Sequence, residues 1–216
     1  MTSGPPGPPV PPVSRLPIRP ARVGDRTEVD RLYDVCLRTG AAGQDATADL
    51  RDPRLLGEVY LGAYLALEPD LASVLDDAGD AVGYVVGTRD TLAFEERCER
   101  EWWPALRERY PLDDFPDASR DAELVRLIHA PRRTDPHLVA DYPAHLHVDL
   151  LPGAQGGGNG RRLLATLFDA LRSAGVPGVH LGVARANVGA VGFYRHLGLT
   201  ELAVTEDGLT LGLRLS

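Results

Sequence analysis

Between an apolar run ending at Leu151 and a second one beginning at Leu163, the chain reads Pro-Gly-Ala-Gln-Gly-Gly-Gly-Asn-Gly-Arg-Arg over residues 152–162. So many glycines in so short a connection leave few roles. A linker would separate independent domains, but the strand before it and the helix after it are too strong and too close. A P-loop needs Gly-Lys-Ser/Thr, whereas Arg161 and Arg162 follow Gly160. A dinucleotide fingerprint framed on Gly156 needs glycine where Arg161 stands. What fits is Gln155-x-x-Gly158-x-Gly160 at a strand-to-helix turn. There the backbone N–H groups converge with the positive end of the helix, and glycine lets a bulky anion approach the backbone. Each charge-assisted hydrogen bond contributes ~1.5–3 kcal/mol and the helix end ~0.3–1 kcal/mol. Four or five such donors hold a pyrophosphate without a lysine.

At 216 residues, 25% charged and 44% apolar, the chain has the profile of a globular protein with one sizeable core. The net charge is −8, and the basic clusters are no longer than pairs such as Arg132-Arg133 and Arg161-Arg162. A nucleic-acid partner is therefore not expected. Cys36 and Cys98 lie in helix-like segments, which points away from disulfides and thiolate zinc and toward a reducing cytoplasm. The first residues lack the basic and apolar regions of a signal peptide, and residues 1–15 read as a disordered Pro-rich tail. No apolar run approaches the ~20 residues that span a bilayer, so no membrane partner is expected.

Residues 16–22 predict an edge strand, because Pro17 and Pro20 cannot serve a central one. Asp25 precedes a helix with Val29, Leu32, Tyr33 and Cys36 on one face. A second helix is expected from Pro53 to Leu67, with Asp52 as N-cap. A hairpin follows with its turn at Asp77–Asp80. Residues 94–143 read as a helical insertion, with one charged amphipathic helix from Phe94 to Pro111 and a shorter one from Ala122. Then come a strand at 144–151, the glycine loop, a helix with Leu163, Leu164, Leu167, Phe168 and Leu171 on one face, a strand, a short helix from Val188, and a closing hairpin around Asp207-Gly208. The class is α+β, or mixed α/β, over residues 16–216.

"LLPGAQGGGNGRRLLATL" with "LGVARANVGAVGFYRHLGL" downstream resembles the paired signatures of the GNAT acyltransferase superfamily. "DYPAHLHVDLLP" and "FYRHLG" further resemble the acetyltransferase-like C-terminal domain of animal O-GlcNAcases and its free-standing bacterial relatives. The resemblance implies a splayed, mostly antiparallel sheet flanked by helices, with acetyl-CoA as co-substrate and an amine as acceptor. It implies CoA contacts from Gln155, Gly156, Gly157, Gly158, Asn159, Gly160 and Arg161, and a backbone N–H at Leu150 or Leu151 on the thioester carbonyl. Asn187 would lie near the pantetheine arm, and Tyr194 would protonate the leaving thiolate. The animal domains lack a proper glycine motif and are regarded as pseudo-enzymes, so a non-catalytic acyl-CoA-binding or interaction module is the alternative.

Each residue also has a plainer role. Tyr194, with an ordinary pKa of ~10, suits a proton donor or packs beside Phe193. Asn187 suits an N-cap for the helix from Val188. Arg161 and Arg162 oppose the helix dipole unless an anion is bound, or are solvated charges. On a regular strand His145, His147 and Asp149 share one face. That triplet could chelate a metal, but no metal is expected without further ligands, and Asp149 is the candidate to accept the acceptor's proton. Trp102, Trp103, Tyr110, Phe115 and Tyr142 wall an acceptor pocket or bury the inserted helices.

Overall fold

The structure, a computed structural model, describes residues 15–215. The Pro-rich segment expected to be a tail lies almost wholly outside them. In chain order the elements are β1 (Ile18–Pro20), α1 (Arg26–Thr39), α2 (Leu55–Tyr60), α3 (Gly62–Leu67), β2 (Ser73–Asp77), β3 (Asp80–Thr88), α4 (Thr91–Glu101) and α5 (Trp103–Arg109). They continue with α6 (Arg120–His129), α7 (Pro136–Val139), β4 (Ala144–Leu150), α8 (Asn159–Ser173), β5 (Gly178–Ala184), α9 (Val188–His196), β6 (Thr200–Val204) and β7 (Gly208–Arg214). The strands form one sheet in the order β1-β2-β3-β4-β5-β7-β6, antiparallel everywhere except between β4 and β5. This is the mixed, mostly antiparallel sheet flanked by helices that the sequence predicts, with β1 at an edge.

Strand alternation divides the core in two. Val74, Tyr84 and Val86 face α1 to α6, whose buried side chains include Leu32, Leu55, Phe94, Trp103 and Ile128. Leu75, Val85, Leu146, Leu181 and Leu211 face the other way and pack with α8. Leu163, Leu164, Leu167, Phe168 and Leu171, the expected apolar face of α8, are all buried there. Burying each of these side chains is worth ~1.5–3 kcal/mol, so α8 anchors this half of the sheet.

Two helices differ from expectation. The one foreseen over 53–67 starts at Leu55 and breaks at Leu61 into α2 and α3; Asp52 still accepts the Arg54 N–H at 2.8 Å. The cause is tertiary. A Cβ on Gly57 would lie 2.4 Å from the Tyr33 ring, and one on Gly62 would lie 2.3 Å from the Tyr33 hydroxyl and 2.4 Å from Trp102. The break brings both glycines against those rings. The amphipathic helix foreseen after Phe94 begins earlier, at Thr91, capped by the Asp90 side chain, and divides at Trp102 into α4 and α5. Pro104 has no N–H to continue the ladder, and its ring crowds the carbonyl four residues back.

Gly62→Ala should destabilise the fold by about 1–3 kcal/mol through overpacking. The expected readout is a lower urea midpoint with an unchanged m-value.

Candidate active site

The glycine loop has an unusual backbone. Gly156, Gly157 and Gly158 all adopt positive φ, at 86°, 59° and 77°, a region in which a side chain is strained. Gly160 is needed for another reason, since its Cβ would sit 3.2 Å from the Phe193 ring of α9. Among the described residues, no acceptor takes the backbone N–H of Gly157, Gly158, Gly160 or Arg161. These donors sit at the start of α8, a helix of 15 residues. The loop is braced from within: the Gln155 side chain donates to the Leu150 carbonyl at 3.0 Å, and Asn159 donates to the Ala154 carbonyl at 3.1 Å.

The sheet opens beside this loop. β4 and β5 pair only at Ala144–Val179 and His145–His180. On its other edge β4 stays in register with β3 from His145 to Leu150, and the Leu151 N–H donates to the Val82 carbonyl at 3.0 Å. Antiparallel bonding alternates along the strand, so this bond turns the Leu150 N–H toward the opened side. Of the two candidate carbonyl donors, Leu151 is therefore spent within the sheet and Leu150 faces the split.

The split has unlike walls. From the α8 side comes Tyr194 of α9, 8% exposed, its ring 5.4 Å from that of Phe193. No described residue takes its hydroxyl, which is not sealed from solvent. Burial, and behind it the Asp149 charge, push this phenol above its usual range. From the α1 side comes Asp149, whose carboxylate accepts a hydrogen bond from the buried Tyr84 hydroxyl at 2.5 Å. Burial raises the Asp149 pKa, with Tyr84 and Thr39 pulling the other way. Cys36 and Cys98 are free and buried, and burial pushes each thiol up to about 12, so neither offers a thiolate nucleophile.

At the apex of the split, on the α1 side, lies a half-open cavity of about 290 Å³. His145, His147 and His180 line it with Tyr60, Tyr64, Phe94 and Trp103. His145 is held by Tyr64 at 2.5 Å on one ring nitrogen and by Thr91 at 2.8 Å on the other, and His180 is held by the Tyr142 carbonyl at 2.8 Å. Burial lowers the pKa of His147 to about 4, and also lowers those of His145 and His180.

His145, His147 and Asp149 do share a strand face, yet among the described residues no group of three or more His, Cys, Asp or Glu is arranged to hold a metal. Asn159, foreseen as a CoA contact, is fully buried and accepts the Leu16 N–H at 3.1 Å, so its side chain serves the loop. Arg162 donates to the Leu16 carbonyl, while Arg161 is exposed. The Asn187 carboxamide caps α9 by accepting the Ala190 N–H at 3.1 Å and faces Gly43 in the loop after α1. Of the aromatic residues expected either to wall a pocket or to bury the inserted helices, only Trp103 lines the cavity; Tyr110 donates to Asp52, and Tyr142 packs under Arg214. Tyr84, Tyr64 and His180 escaped the sequence reading. Their one signal was a polar ring inside an otherwise apolar strand or helix.

Residues 48–199 match the family described as Acetyltransferase (GNAT) family. Among solved structures, SsHAT superposes with a TM-score of 0.85 at 43% identity, covering 93% of this chain and 98% of that one. The structure of yncA from Salmonella typhimurium with its cofactor acetyl-CoA shares the fold, with a TM-score of 0.54 at 19% identity over 94% of this chain and 95% of that one. Protein O-GlcNAcase of Rattus norvegicus and of Mus musculus is 27% identical over 156 residues, 71% of this chain and 17% of each relative. The match thus spans under a fifth of those curated proteins. No helix among the described residues is long and apolar enough to cross a membrane.

The depressed histidines set an acid limit. A histidine held neutral binds fewer protons folded than unfolded, so stability is full above the unfolded pKa of 6.5 and falls as pH drops toward the folded value of about 4. The urea midpoint should fall between pH 6.5 and 4.5, and His147→Phe should make that fall shallower.

Proposed function

Because the chain belongs to the acetyltransferase (GNAT) family, we propose that it transfers an acetyl group from acetyl-CoA to an amine by direct attack. The observation that carries this reading is the run of left-handed glycines at 156–158, whose neighbouring N–H groups lack protein acceptors at the mouth of the split sheet. The residues present fit a pyrophosphate. Four N–H groups and a helix start are available to it, and no side chain crowds Gly158, where a built Cβ has nothing within 4 Å. Gly157, Gly158, Gly160 and Arg161 would bind through these N–H groups, with Gly156 shaping the turn that presents them. Gln155 and Asn159 would bind nothing themselves but keep the loop in shape.

When bound, acetyl-CoA supplies a thioester whose carbonyl carbon takes the amine nitrogen as the carbon–sulfur bond breaks. The Leu150 N–H lies in the split to receive the carbonyl oxygen as it gains charge, a contribution of roughly 3 kcal/mol for one such donor. Asp149, on the α1 side, accepts the proton the amine gives up, directly or through water, with Tyr84 fixing its carboxylate. Tyr194, on the opposite side, remains protonated and donates to the departing sulfur. Asn187 acts as the cap of α9 and so holds Tyr194 in place. With both thiols buried and protonated, transfer runs without an acyl-cysteine.

Three variants separate the roles. Gly158→Val forces a side chain to φ 77° and should weaken acetyl-CoA binding at least tenfold by calorimetry while circular dichroism stays native. Unchanged affinity would remove the loop from the site. Tyr194→Phe should lower kcat by roughly 10² and leave the KM for acetyl-CoA alone. Asp149→Asn should lower kcat by a similar factor, with the loss shrinking at pH low enough to protonate Asp149 in the wild type, since burial raises its pKa. Binding of acetyl-CoA with no turnover across a broad amine panel would identify the chain as a binding module instead.

A further inference from the structure

The cavity at the apex of the split has the composition of a substrate pocket. Its rear begins where the sheet parts: His145–His180 is the last β4–β5 pair, and the next residues on both strands, Leu146, His147, Leu181 and Gly182, line it. A group held against His147 lies next to Asp149, two residues further along the same face of β4. Its volume of about 290 Å³ is near the small end of ligand sites, roughly 300–1,000 Å³. That suits one side chain or one ring, not a peptide backbone.

The walls are mostly rings. The Tyr60 and Tyr64 rings stand 5.9 and 5.3 Å from the His147 ring, both tilted across it, and Phe94 and Trp103 also line the cavity. Two of the three histidines are committed to protein partners. His147 is the exception: no described residue hydrogen-bonds its ring nitrogens, which are not sealed off from the cavity. We propose that this cavity is the acceptor pocket, and that it takes a primary amine at the end of an apolar stem, with the nitrogen hydrogen-bonded to His147. The assignment rests on the transferase reading above.

The charges lining the cavity favour the free base over the ammonium. Its one carboxylate, Glu95, is engaged: one oxygen accepts from the Thr134 N–H at 3.0 Å and the Thr134 hydroxyl at 2.6 Å, and the other lies 3.8 Å from Arg133. Against it stand the guanidiniums of Arg132 and Arg133. The remaining ionisable groups there, Tyr60, Tyr64, Cys98 and the three histidines, are neutral at pH 7. The burial that holds His147 uncharged would equally oppose a bound ammonium. An amine entering from water therefore leaves its extra proton in bulk solvent and arrives nucleophilic. The neutral imidazole then accepts or donates a hydrogen bond without being asked to carry charge.

The full chain, saturated with CoA, is titrated by calorimetry with phenethylamine, with Nα-acetyl-lysine amide, and with glycinamide as the stemless control. Binding by either stemmed amine but not by glycinamide supports the pocket, and which of the two binds distinguishes free small amines from lysine side chains. Apparent affinity should rise close to tenfold per pH unit from pH 7 to 9, following the free-base fraction of an amine with pKa ~10.4. Affinity that is flat across this range would mean recognition of the cation and would overturn the assignment. Gly182→Leu supplies the second test: its built Cβ has nothing within 4 Å, and it lies two residues beyond His180 on the same strand face, so the new side chain fills the cavity without disturbing the fold. It should abolish amine binding, with acetyl-CoA affinity measured alongside. If Gly182→Leu still acetylates with an unchanged acceptor KM, the acceptor binds elsewhere and this proposal fails while the transferase reading stands. If the wild type binds amines here and transfers to none, the pocket stands and the transferase reading fails.

Discussion

The separation of β4 from β5 is the constraint on which the rest depends. Parallel strands normally keep their hydrogen bonds along their length, and a strand that loses its neighbour exposes backbone donors and acceptors needing new partners. Here β4 keeps every bond to β3, as far as Leu151 and Val82, while contact with β5 ends after His145 and His180. The result is a cleft with peptide groups on one wall, through the centre of a sheet that is continuous elsewhere. The chain repairs one of those groups itself, since Gln155 reaches back to the Leu150 carbonyl. It leaves the adjacent donor facing the opening.

Strand alternation gives the two sides of this cleft different chemistry. Leu146, Val148 and Leu150 turn to the α8 side, where α8 and α9 bring an apolar floor, Tyr194 and the loop donors. His145, His147 and Asp149 turn to the α1 side, where α3, α4 and the neighbouring strand β3 supply hydroxyls and rings. A phenol and a carboxylate thus reach the same opening from opposite faces and do not compete for one position.

How much of this was legible depends on how far away the deciding partner lies. The glycine loop was readable because positive φ at three consecutive positions is a local demand that few sequences satisfy, and the apolar face of α8 follows from its own periodicity. The bonds of Asn159 to Leu16 and of Leu151 to Val82 were not readable, because those partners are far off in the chain and leave no mark on the local pattern. The break at Leu61 has the same origin, for Gly57 and Gly62 answer to Tyr33 and Trp102. The cavity was the least readable part, since α2, α3, α4, α5, α6, β4, β5 and the segment at 131–134 each contribute to its wall. A single periodicity shows which face of an element is apolar, but not that several such faces stop short of meeting.

The side chains nearest the proposed ligands mostly hold backbone, and that division has a physical reason. Hydrogen-bond donors stabilise an incoming charge most when they need not reorganise, so their orientation has to be settled before the ligand arrives. Asn159 accepts from Leu16 and donates to Ala154, which fixes the first turn of α8. Asn187 caps α9 and faces Gly43, which fixes the helix that carries Tyr194 against the loop after α1. Tyr84 orients Asp149 in the same way. If these polar side chains bound the ligand directly, the loop and α9 would lose the bonds that shape them. By bonding to the protein instead, they leave the backbone N–H groups, one phenol and one carboxylate as the groups with capacity to spare. The site's chemistry then comes from few atoms, and its geometry comes from the residues that surround them.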